Sequence, residues 1–544
     1  MASTRKLTDL DLSKDKSVPF RRKPFTAMIL ENVQLVWTNI TVEPLAAALG
    51  ICDRINMLAI QHLNFEKACR TSFQYGDEIC TAVIRGTNHS QYDLHKVNCQ
   101  SLVTEMTAWV NFFLYLFPPF LLLFIGAYSD RTKRRKTFIL VPFIGYIAST
   151  VGLIVSAVFF DAVPLVYTGL IEALLPGMFG YWLVLYMAMF TYISSITMAE
   201  ERTFRIGLIS TTLSAFSMLG AAITEYVVQY LGYVGSFSLT CFIYSSCFVY
   251  ALVYIPEIKR SEVLFGTQPK PEETSAVSDY GRNFVVFLRE LFDFRNVRDT
   301  FVFLFRKDSS RDDRKKHGKI VLMMINGLIM WGPCAGEFTV LYLYTRSAFH
   351  WNEYNNNSFN TIYYLTEFLG TFFSVAYFTK YLQVQDSLLG VIAVVSTLCG
   401  TLIFAFANTS FIFCSGALAS LFSNASFVAM RSIISKLTSA EELGKVMSAF
   451  MLFEAIAPMI YNPMYSALYK ATLDIMPSCF FLLGEFLTLP AIFMFLWIYR
   501  EDKKLKKAAL SRDGAGGATS QKQGIDNPEF VQSTLDLGEG FKDR

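Results

Sequence analysis

The stretch GAYSDRTKRRKTF, residues 126–138, places one acidic residue, Asp130, among five basic residues. The apolar run FFLYLFPPFLLLFI precedes it, and a second run, FILVPFIGYIASTVGLIVSAVFF, begins at Phe138. Dense basic charge between two apolar runs is typical of a short cytosolic loop that joins two membrane-spanning helices. From the loop alone, a simple anchor at the lipid headgroups is the alternative to a functional role.

The composition indicates an integral membrane protein. The chain has 544 residues, of which 53% are hydrophobic and 17% are charged, against about 25% charged in a typical soluble domain. The net charge of +3 gives no reason to expect a nucleic-acid partner. The basic first 35 residues lack the short apolar core and cleavage site of a signal peptide, so the first hydrophobic helix is expected to act as its own insertion signal.

Twelve stretches are long and apolar enough to cross roughly 30 Å of hydrocarbon as helices, which predicts an all-α membrane protein. The predicted spans are residues 40–62, 105–126, 137–160, 163–197, 204–230, 234–255, 319–345, 358–381, 387–407, 410–435, 444–470 and 475–499. Pro176 and Gly177 predict a kink in the long fourth span.

The order of spans and polar stretches predicts five regions. These are a cytosolic amino-terminal segment (1–39), six spans with an extracellular loop at 63–104 (40–255), a cytosolic central loop (256–318), six further spans (319–499) and a disordered cytosolic tail (500–544). Lys and Arg concentrate in the two termini, the 126–138 loop and the central loop, so both termini are expected in the cytosol.

The predicted outer loops contain residues typical of an extracellular surface. Asn88 and Asn356 lie in N-x-Ser sequons and are candidate glycosylation sites. Cys69, Cys80 and Cys99 share the first outer loop, where an oxidising exterior favours a disulfide. The pair Cys69–Cys80, which closes the short loop, is the first choice, and one cysteine of the three remains unpaired.

The spelling G-x-x-x-D-R-x-x-R-R resembles the loop signature of the major facilitator superfamily. The matching residues are Gly126, Asp130, Arg131, Arg134 and Arg135. Lys133 stands where that signature has a second glycine. The resemblance implies twelve transmembrane helices in two six-helix bundles, related by pseudo-twofold symmetry around a central cavity. It also implies that this loop latches the cytosolic side when the carrier faces outward.

Further stretches resemble the proton-coupled folate transporter family, solute carrier family 46. They are ITVEP (40–44), EERTFRIGLIS (200–210), MRSIISKL (430–437), PMYSALYKATL (463–473) and PSCFFLLGEFL (477–487). The resemblance implies proton-coupled or pH-dependent import of folates, muramyl peptides or drug-like conjugates. Matching positions are Glu43, Asp130 and Arg431, and Glu454 stands at a position that is often acidic in relatives.

Two departures from the folate-carrying member argue against a plain folate carrier. Ser210 stands where that member has a glutamate in span five. Its span-seven histidine has no counterpart, because the region here reads IMWGPCAGEF, with Pro333 near that place.

Several charged residues fall near mid-membrane when depth is counted at 1.5 Å per helical residue. They are Asp53, Arg54, Glu172, Glu367, Glu454 and Glu485. None of the five histidines does, so carboxylates are expected to carry any coupled proton. Arg54 is expected to face an anionic cargo and Asp53 to hold the proton. The alternative is that each pairs with a charge on another helix, since adjacent helical residues point about 100° apart.

Two charged residues have a structural alternative. Glu43, beside Pro44, suits the positive end of a helix. Arg431, near the inner end of its span, suits the headgroup region. Six aromatic residues could stack on a planar cargo or simply pack: Tyr181, Trp182, Tyr186, Trp331, Tyr363 and Tyr364.

The function predicted from these features is secondary active transport, by alternating access, of an organic anion such as a folate-like or muramyl-peptide-like solute, with protons as the coupled ion. A uniporter of a neutral or amphipathic metabolite is the alternative, followed by a receptor or channel. The sequence lacks HExxH, GxSxG, P-loop and metal-ligand spacings, so an enzyme, a metal site and a cofactor are not expected. The expected partners are the small solute, protons and the lipid bilayer, and no oligomeric state is assigned. The plasma membrane is the expected location, with an endolysosomal membrane as the alternative.

Overall fold

The computed structural model describes residues 40–85, 93–198, 201–257, 289–304, 310–351, 353–439, 441–473 and 475–523. Within these ranges the regular structure is helical and contains no strand. The helices of the first half are α1 (Glu43–Lys67), α2 (Asp77–Arg85), α3 (Asp93–Thr132), α4 (Lys136–Val158), α5 (Leu165–Met178), α6 (Tyr181–Ile196) and α7 (Arg202–Tyr254). The others are α8 (Phe294–Leu304), α9 (Arg311–Phe349), α10 (Glu353–Phe373), α11 (Asp386–Phe406), α12 (Ser410–Ala419), α13 (Ala425–Leu437), α14 (Leu443–Thr472) and α15 (Cys479–Gln523). We call α1–α7 the first half and α9–α15 the second half.

Each of the twelve predicted spans corresponds to a helical segment of the structure. Eight segments of the described chain are long and apolar enough by themselves to cross a membrane. One of them, α7, covers two predicted spans, because its backbone turns at Gly232, where φ is +65°. The remaining spans are α1, which contains Asp53 and Arg54, then α10 with the π-helical segment Ser374–Tyr381, and the pair α12 and α13.

The predicted kink in the fourth span is confirmed. The span divides into α5, which contains Pro176, and α6, and Gly180 between them has φ of +92°, a conformation that favours glycine. A similar division separates α12 from α13 at residues 420–424, within the tenth span, where the sequence predicted one continuous helix.

The structure is helical in three regions where the sequence predicted loops or disorder. Most of the predicted outer loop 63–104 belongs to the end of α1, the π-helical segment Ala68–Ser72, α2 and the start of α3. The central loop 256–318 contains α8 and the first residues of α9. The predicted disordered tail begins inside α15, which ends only at Gln523. These segments have no apolar run long enough to cross a membrane, so the sequence predicts no span there, although residues 281–305 carry apolar residues at the helical spacing that favours α8.

The two halves pack against each other through α3 with α14 and through α7 with α10 and α13. Gly126 and Gly444 allow the first contact to be close. A β-carbon built on either glycine would lie 2.9 Å from the carbonyl oxygen of the other. Small residues at such a crossing are typical of tightly packed membrane helices.

Candidate functional site

Asp130 caps the first turn of α14 in the opposite half. Its carboxylate accepts hydrogen bonds from the backbone N–H groups of Gly444, at 2.7 Å, and Lys445, at 2.8 Å. The first N–H groups of a helix have no partner within the helix and attract negative charge, which explains why an acid stands here. We call this end of the bundle the Asp130 end. The contact joins the two halves there.

The arginines of the 126–138 loop divide into two groups. Arg135 is buried, donates to the carbonyl oxygen of Thr191 at 3.0 Å and lies 3.8 Å from Asp130. Arg131 and Arg134 are exposed, as expected of residues at the headgroups. Lys133 has φ of +60°, so the position where the family signature has glycine requires the left-handed backbone.

A second cluster joins the halves at the Asp130 end, around Asp386 at the start of α11. The Asp386 carboxylate accepts hydrogen bonds from Thr203 of α7 at 3.0 Å, from Ser432 at 2.8 Å and from Lys436 at 2.7 Å. Arg202 of α7 also donates to the carbonyl oxygen of Ser435. The two acids have equivalent places in the two halves: Asp130 follows span two and meets span eleven, and Asp386 follows span eight and meets span five.

The sequence did not predict a role for Asp386. The loop before it, KYLQVQD (380–386), lacks the run of basic residues that marks residues 126–138. The available signal was its position, because it occupies the place in the second half that Asp130 occupies in the first.

Arg54 contacts both halves near the middle of α1. Its guanidinium forms an ion pair with Asp53, with 2.7 Å between Nη2 and Oδ2. The expectation that these neighbours need not pair is therefore wrong, because the long arginine side chain reaches back to the preceding carboxylate. Nη1 of Arg54 also donates to the hydroxyl of Tyr364 on α10, and the guanidinium lies 4.9 Å from that ring. Its Nε–H is buried and has no hydrogen-bond partner.

Arg431 and Glu454 form a buried ion pair within the second half. Nη2 of Arg431 lies 3.0 Å and 3.1 Å from the two carboxylate oxygens. The guanidinium stands 4.6 Å from the ring of Phe190, in the first half, and is also flanked by Phe427 and Phe450. Arg431 is only 7% exposed, so a headgroup position is excluded. Its Nε–H, like that of Arg54, is buried without a partner.

The other predicted acids have separate partners. Glu43 forms an ion pair with Arg205 at 3.1 Å and accepts from the backbone N–H of Thr41. Glu172 accepts from Asn64 at 3.2 Å. Glu485 accepts from the hydroxyl of Thr401. Glu367, one turn after Tyr364 on α10, is close enough to interact electrostatically with Arg54.

The predicted aromatic residues connect the two halves beside these arginines. The rings of Trp182 and Trp331, from opposite halves, are 5.8 Å apart. Trp182 also contacts Tyr186 at 5.1 Å, and Tyr363 lies 6.0 Å from Tyr364. Trp331 Nε1 is buried and has no hydrogen-bond partner. The contact between the halves is therefore aromatic here and includes a buried indole N–H without a partner.

Glu337 of α9 was missed, although it is the only acidic residue in the predicted span 319–345. A β-carbon on Gly484 of α15 would overlap its carboxylate, and Tyr465 of α14 borders the same point. Counting 1.5 Å per residue from the ends of the predicted span, as for the other acids, would have placed Glu337 inside the membrane.

The end opposite Asp130 holds the predicted disulfide. Cys69 and Cys80 are joined, and Cys99 is a free, buried thiol packed beside them. Asn356, in the first turn of α10, is partly exposed. Asn88 lies outside the described residues. In the part of the chain that the structure describes, no cluster of three or more His, Cys, Asp or Glu side chains could hold a metal ion.

Comparison with protein families gives one match to a family model. The model of the Major Facilitator Superfamily matches residues 100–383 and 320–531.

Several curated proteins are similar along most of their length. A lysosomal proton-coupled steroid conjugate and bile acid symporter of Gallus gallus is 20% identical over 84% of this chain and 93% of its own. A proton-coupled folate transporter of Bos taurus is 25% identical over 75% of this chain and 82% of its own. A probable peptidoglycan muropeptide transporter of Drosophila melanogaster is 21% identical over 82% and 83%.

Solved structures share the fold. The human organic anion transporter TETRAN matches with a TM-score of 0.60 and 15% identity, over 84% of this chain and 98% of its own. The fucose:proton symporter of E. coli matches with a TM-score of 0.54 and 13% identity, over 84% and 97%. These relatives are transporters, and several belong to solute carrier family 46.

Proposed function

Because this chain belongs to the Major Facilitator Superfamily, we propose that it carries an organic anion across its membrane together with protons, by alternating access. It is a multi-pass integral membrane transporter and not an enzyme. The proposal adds three properties to this description: proton coupling, the class of solute and the direction of transport.

One observation supports an anionic solute above all: each half supplies an arginine with a buried, unused N–H donor. Arg54 and Arg431 each keep an Nε–H without a partner. Tyr186 is close enough to interact electrostatically with both guanidinium groups. Guanidinium groups bind carboxylates, sulfates and phosphates through charge-assisted hydrogen bonds. A solute anion there would contact both halves at once.

The aromatic surroundings favour a solute with a planar or apolar body. Trp182 and Trp331 meet across the halves, and Tyr364 lies against Arg54. Folate-like and muramyl-peptide-like solutes combine a carboxylate with such a body. The related symporters named above act on folates, steroid conjugates and bile acids, and muropeptides. The departures at Ser210 and Pro333 keep folate itself from being the preferred choice.

Contacts at the Asp130 end support alternating access. Asp130 with α14 and Asp386 with α7 are polar contacts between the halves, so they can break and reform as the halves move relative to each other. We propose that this end faces the cytosol, as the positive-inside rule requires. Both termini would then be cytosolic, with the disulfide, Asn88 and Asn356 outside. We propose the plasma membrane as the location, with an endolysosomal membrane as the alternative that the lysosomal relative supports.

A uniporter of a neutral or amphipathic metabolite is the second candidate. The observation that favours it is the pairing of both arginines with carboxylates, Asp53 and Glu454, which leaves each pair neutral. A solute that binds beside these ion pairs, and leaves each arginine paired with its carboxylate, would need no negative charge to bind.

Uptake into liposomes containing the purified protein separates the two candidates. The probes are labelled folate, muramyl dipeptide and estrone sulfate, each tested with and without an inward acid gradient. Accumulation that requires the gradient and stops on addition of a protonophore supports proton symport. Saturable uptake that responds to neither pH nor membrane potential identifies a uniporter instead.

A further inference from the structure

Glu337 differs from most of the other acids inside the predicted spans in the charge of its surroundings. Asp53, Glu43 and Glu454 each form an ion pair with an arginine. Among the described residues, no lysine, arginine or histidine is in ion-pair contact with Glu337, and its main electrostatic neighbour is another acid, Glu485. A carboxylate inside a membrane without a cationic partner is unfavourable, so the neutral acid is the favoured form.

The site around Glu337 is built by the helices packed on α9. Gly484 of α15 leaves room for the carboxyl group, because a β-carbon there would overlap it. The hydroxyl oxygen of Tyr465, on α14, lies 3.2 Å from the same point. Tyr465 is fully buried, and its hydroxyl has no hydrogen-bond partner. Gly336 lets the Tyr465 ring lie against the backbone of α9.

Titratable groups on four helices lie near Glu337, and Tyr465 of α14 is one of them. Glu485 comes from α15 and accepts from Thr401 of α11. Tyr363 comes from α10 and Cys334 from α9 itself, and both interact electrostatically with Glu337 and with Glu367. Glu367 also interacts electrostatically with Arg54.

We propose that Glu337 carries the coupling proton of the transport cycle, which deepens the proposed function and rests on it. Two acids that interact electrostatically inside a membrane disfavour each other's charge, so a charged Glu485 favours a proton on Glu337. The Tyr465 hydroxyl has no partner and borders the same position at Gly484 as the Glu337 carboxyl group, so after the proton leaves a small shift would let it donate a hydrogen bond to the charged form. One proton binds a carboxylate oxygen on one side of the membrane and leaves from it on the other, and no other bond changes.

Glu337→Gln in liposomes is the first test. The glutamine keeps the shape of the protonated acid, so exchange of labelled for unlabelled probe (folate, muramyl dipeptide or estrone sulfate) without a gradient is expected to persist. Accumulation driven by an acid gradient is expected to be lost. The matched control is Glu225→Gln, which changes an exposed acid of α7 and is expected to accumulate probe like the parent.

Two neighbours give a test with opposite signs. Glu485→Gln removes the negative charge that favours the proton, so the pH midpoint of uptake is expected to fall by about one unit. Tyr465→Phe removes the donor to the charged form, so the midpoint is expected to rise by about as much. Unchanged midpoints in both variants, or shifts in the same direction, would overturn the proposal.

An infrared measurement needs no transported solute. A protonated carboxyl group absorbs apart from a carboxylate, and the Glu337→Gln protein is expected to lose one such band at neutral pH. An unchanged spectrum, or gradient-driven accumulation by Glu337→Gln equal to that of the parent, overturns the role of Glu337. A parent that ignores the proton gradient with all three probes overturns the proposed function instead, while the infrared band still reports whether Glu337 holds a proton.

Discussion

Gly126 and Gly444 face each other across the two halves. A β-carbon added to either glycine would lie 2.9 Å from the carbonyl oxygen of the other. A β-carbon on Gly126 would also lie 2.6 Å from the hydroxyl oxygen of Ser448. The crossing of α3 and α14 therefore has no space for a side chain at either glycine. The Asp130 cap of α14 lies one turn further along α3 and depends on this close approach.

Gly126→Val is expected to open the crossing, because overpacking a tight contact costs about 1–3 kcal/mol. Hydrogen–deuterium exchange at the first turn of α14 should then be about 5-fold to 100-fold faster than in the parent. Gly318→Val is the control, since a β-carbon there meets nothing within 4 Å. Equal protection of α14 in the parent and in Gly126→Val would contradict the interpretation.

Asp130→Ala is expected to release the backbone N–H groups of Gly444 and Lys445 and to weaken the contact by about 0.5–2 kcal/mol. Asp130→Asn keeps one oxygen acceptor of the two, so it should retain protection at one of these amides and lose it at the other. Amide exchange at these two residues reports the difference. Equal amide protection at Gly444 and Lys445 in the alanine and asparagine variants would show that the cap does not stabilise the contact.

Lys133→Gly is expected to stabilise the protein by about 1 kcal/mol, because glycine adopts the left-handed backbone without the steric cost that lysine has. Thermal unfolding in detergent measures the change. Lys133→Ala is the control that removes the charge but keeps the β-carbon, and it should not raise the melting temperature. Equal effects of glycine and alanine would point to charge and not backbone as the cause.

Arg431→Ala and Glu454→Gln are each expected to destabilise the protein by about 3–5 kcal/mol, since each leaves a buried partner unpaired. The double variant Arg431→Met with Glu454→Gln should cost clearly less than the sum of the two singles. Denaturation of the three purified variants gives the coupling. Simple addition of the two effects would mean that the pair does not act as a unit.

Arg54→Lys is expected to raise the KM for an anionic probe about tenfold or more, because lysine keeps the charge but loses the planar donor group. Uptake of estrone sulfate, folate or muramyl dipeptide by liposomes gives the value. Arg346→Lys, at an exposed position hydrogen-bonded to Gln100, is the control and should keep the parental KM. A parental KM in Arg54→Lys would remove Arg54 from the solute site.

The features predicted correctly from the sequence depend on local properties. A helical segment lies at each of the twelve apolar runs, Pro176 identified the division of span four, and the Cys69–Cys80 disulfide closes a short loop. The features that were missed or wrong depend on tertiary contacts. Asp386 and Glu337 acquire their roles from Thr203 and Gly484, which are distant in the chain. The Asp53–Arg54 pair was not expected because adjacent residues leave a helix in directions about 100° apart. An arginine side chain is long enough to fold back to the neighbouring carboxylate.

Asp130 caps α14 by binding main-chain amides, and this limits the correlated substitutions that the contact can produce. An acid that meets another side chain leaves a covarying pair, because a change in one selects for a change in the other. Gly444 and Lys445 offer Asp130 only their peptide N–H groups, which nearly every residue has. Methods that infer proximity from correlated substitutions would therefore detect this connection between the halves poorly, however strictly the acid itself is retained.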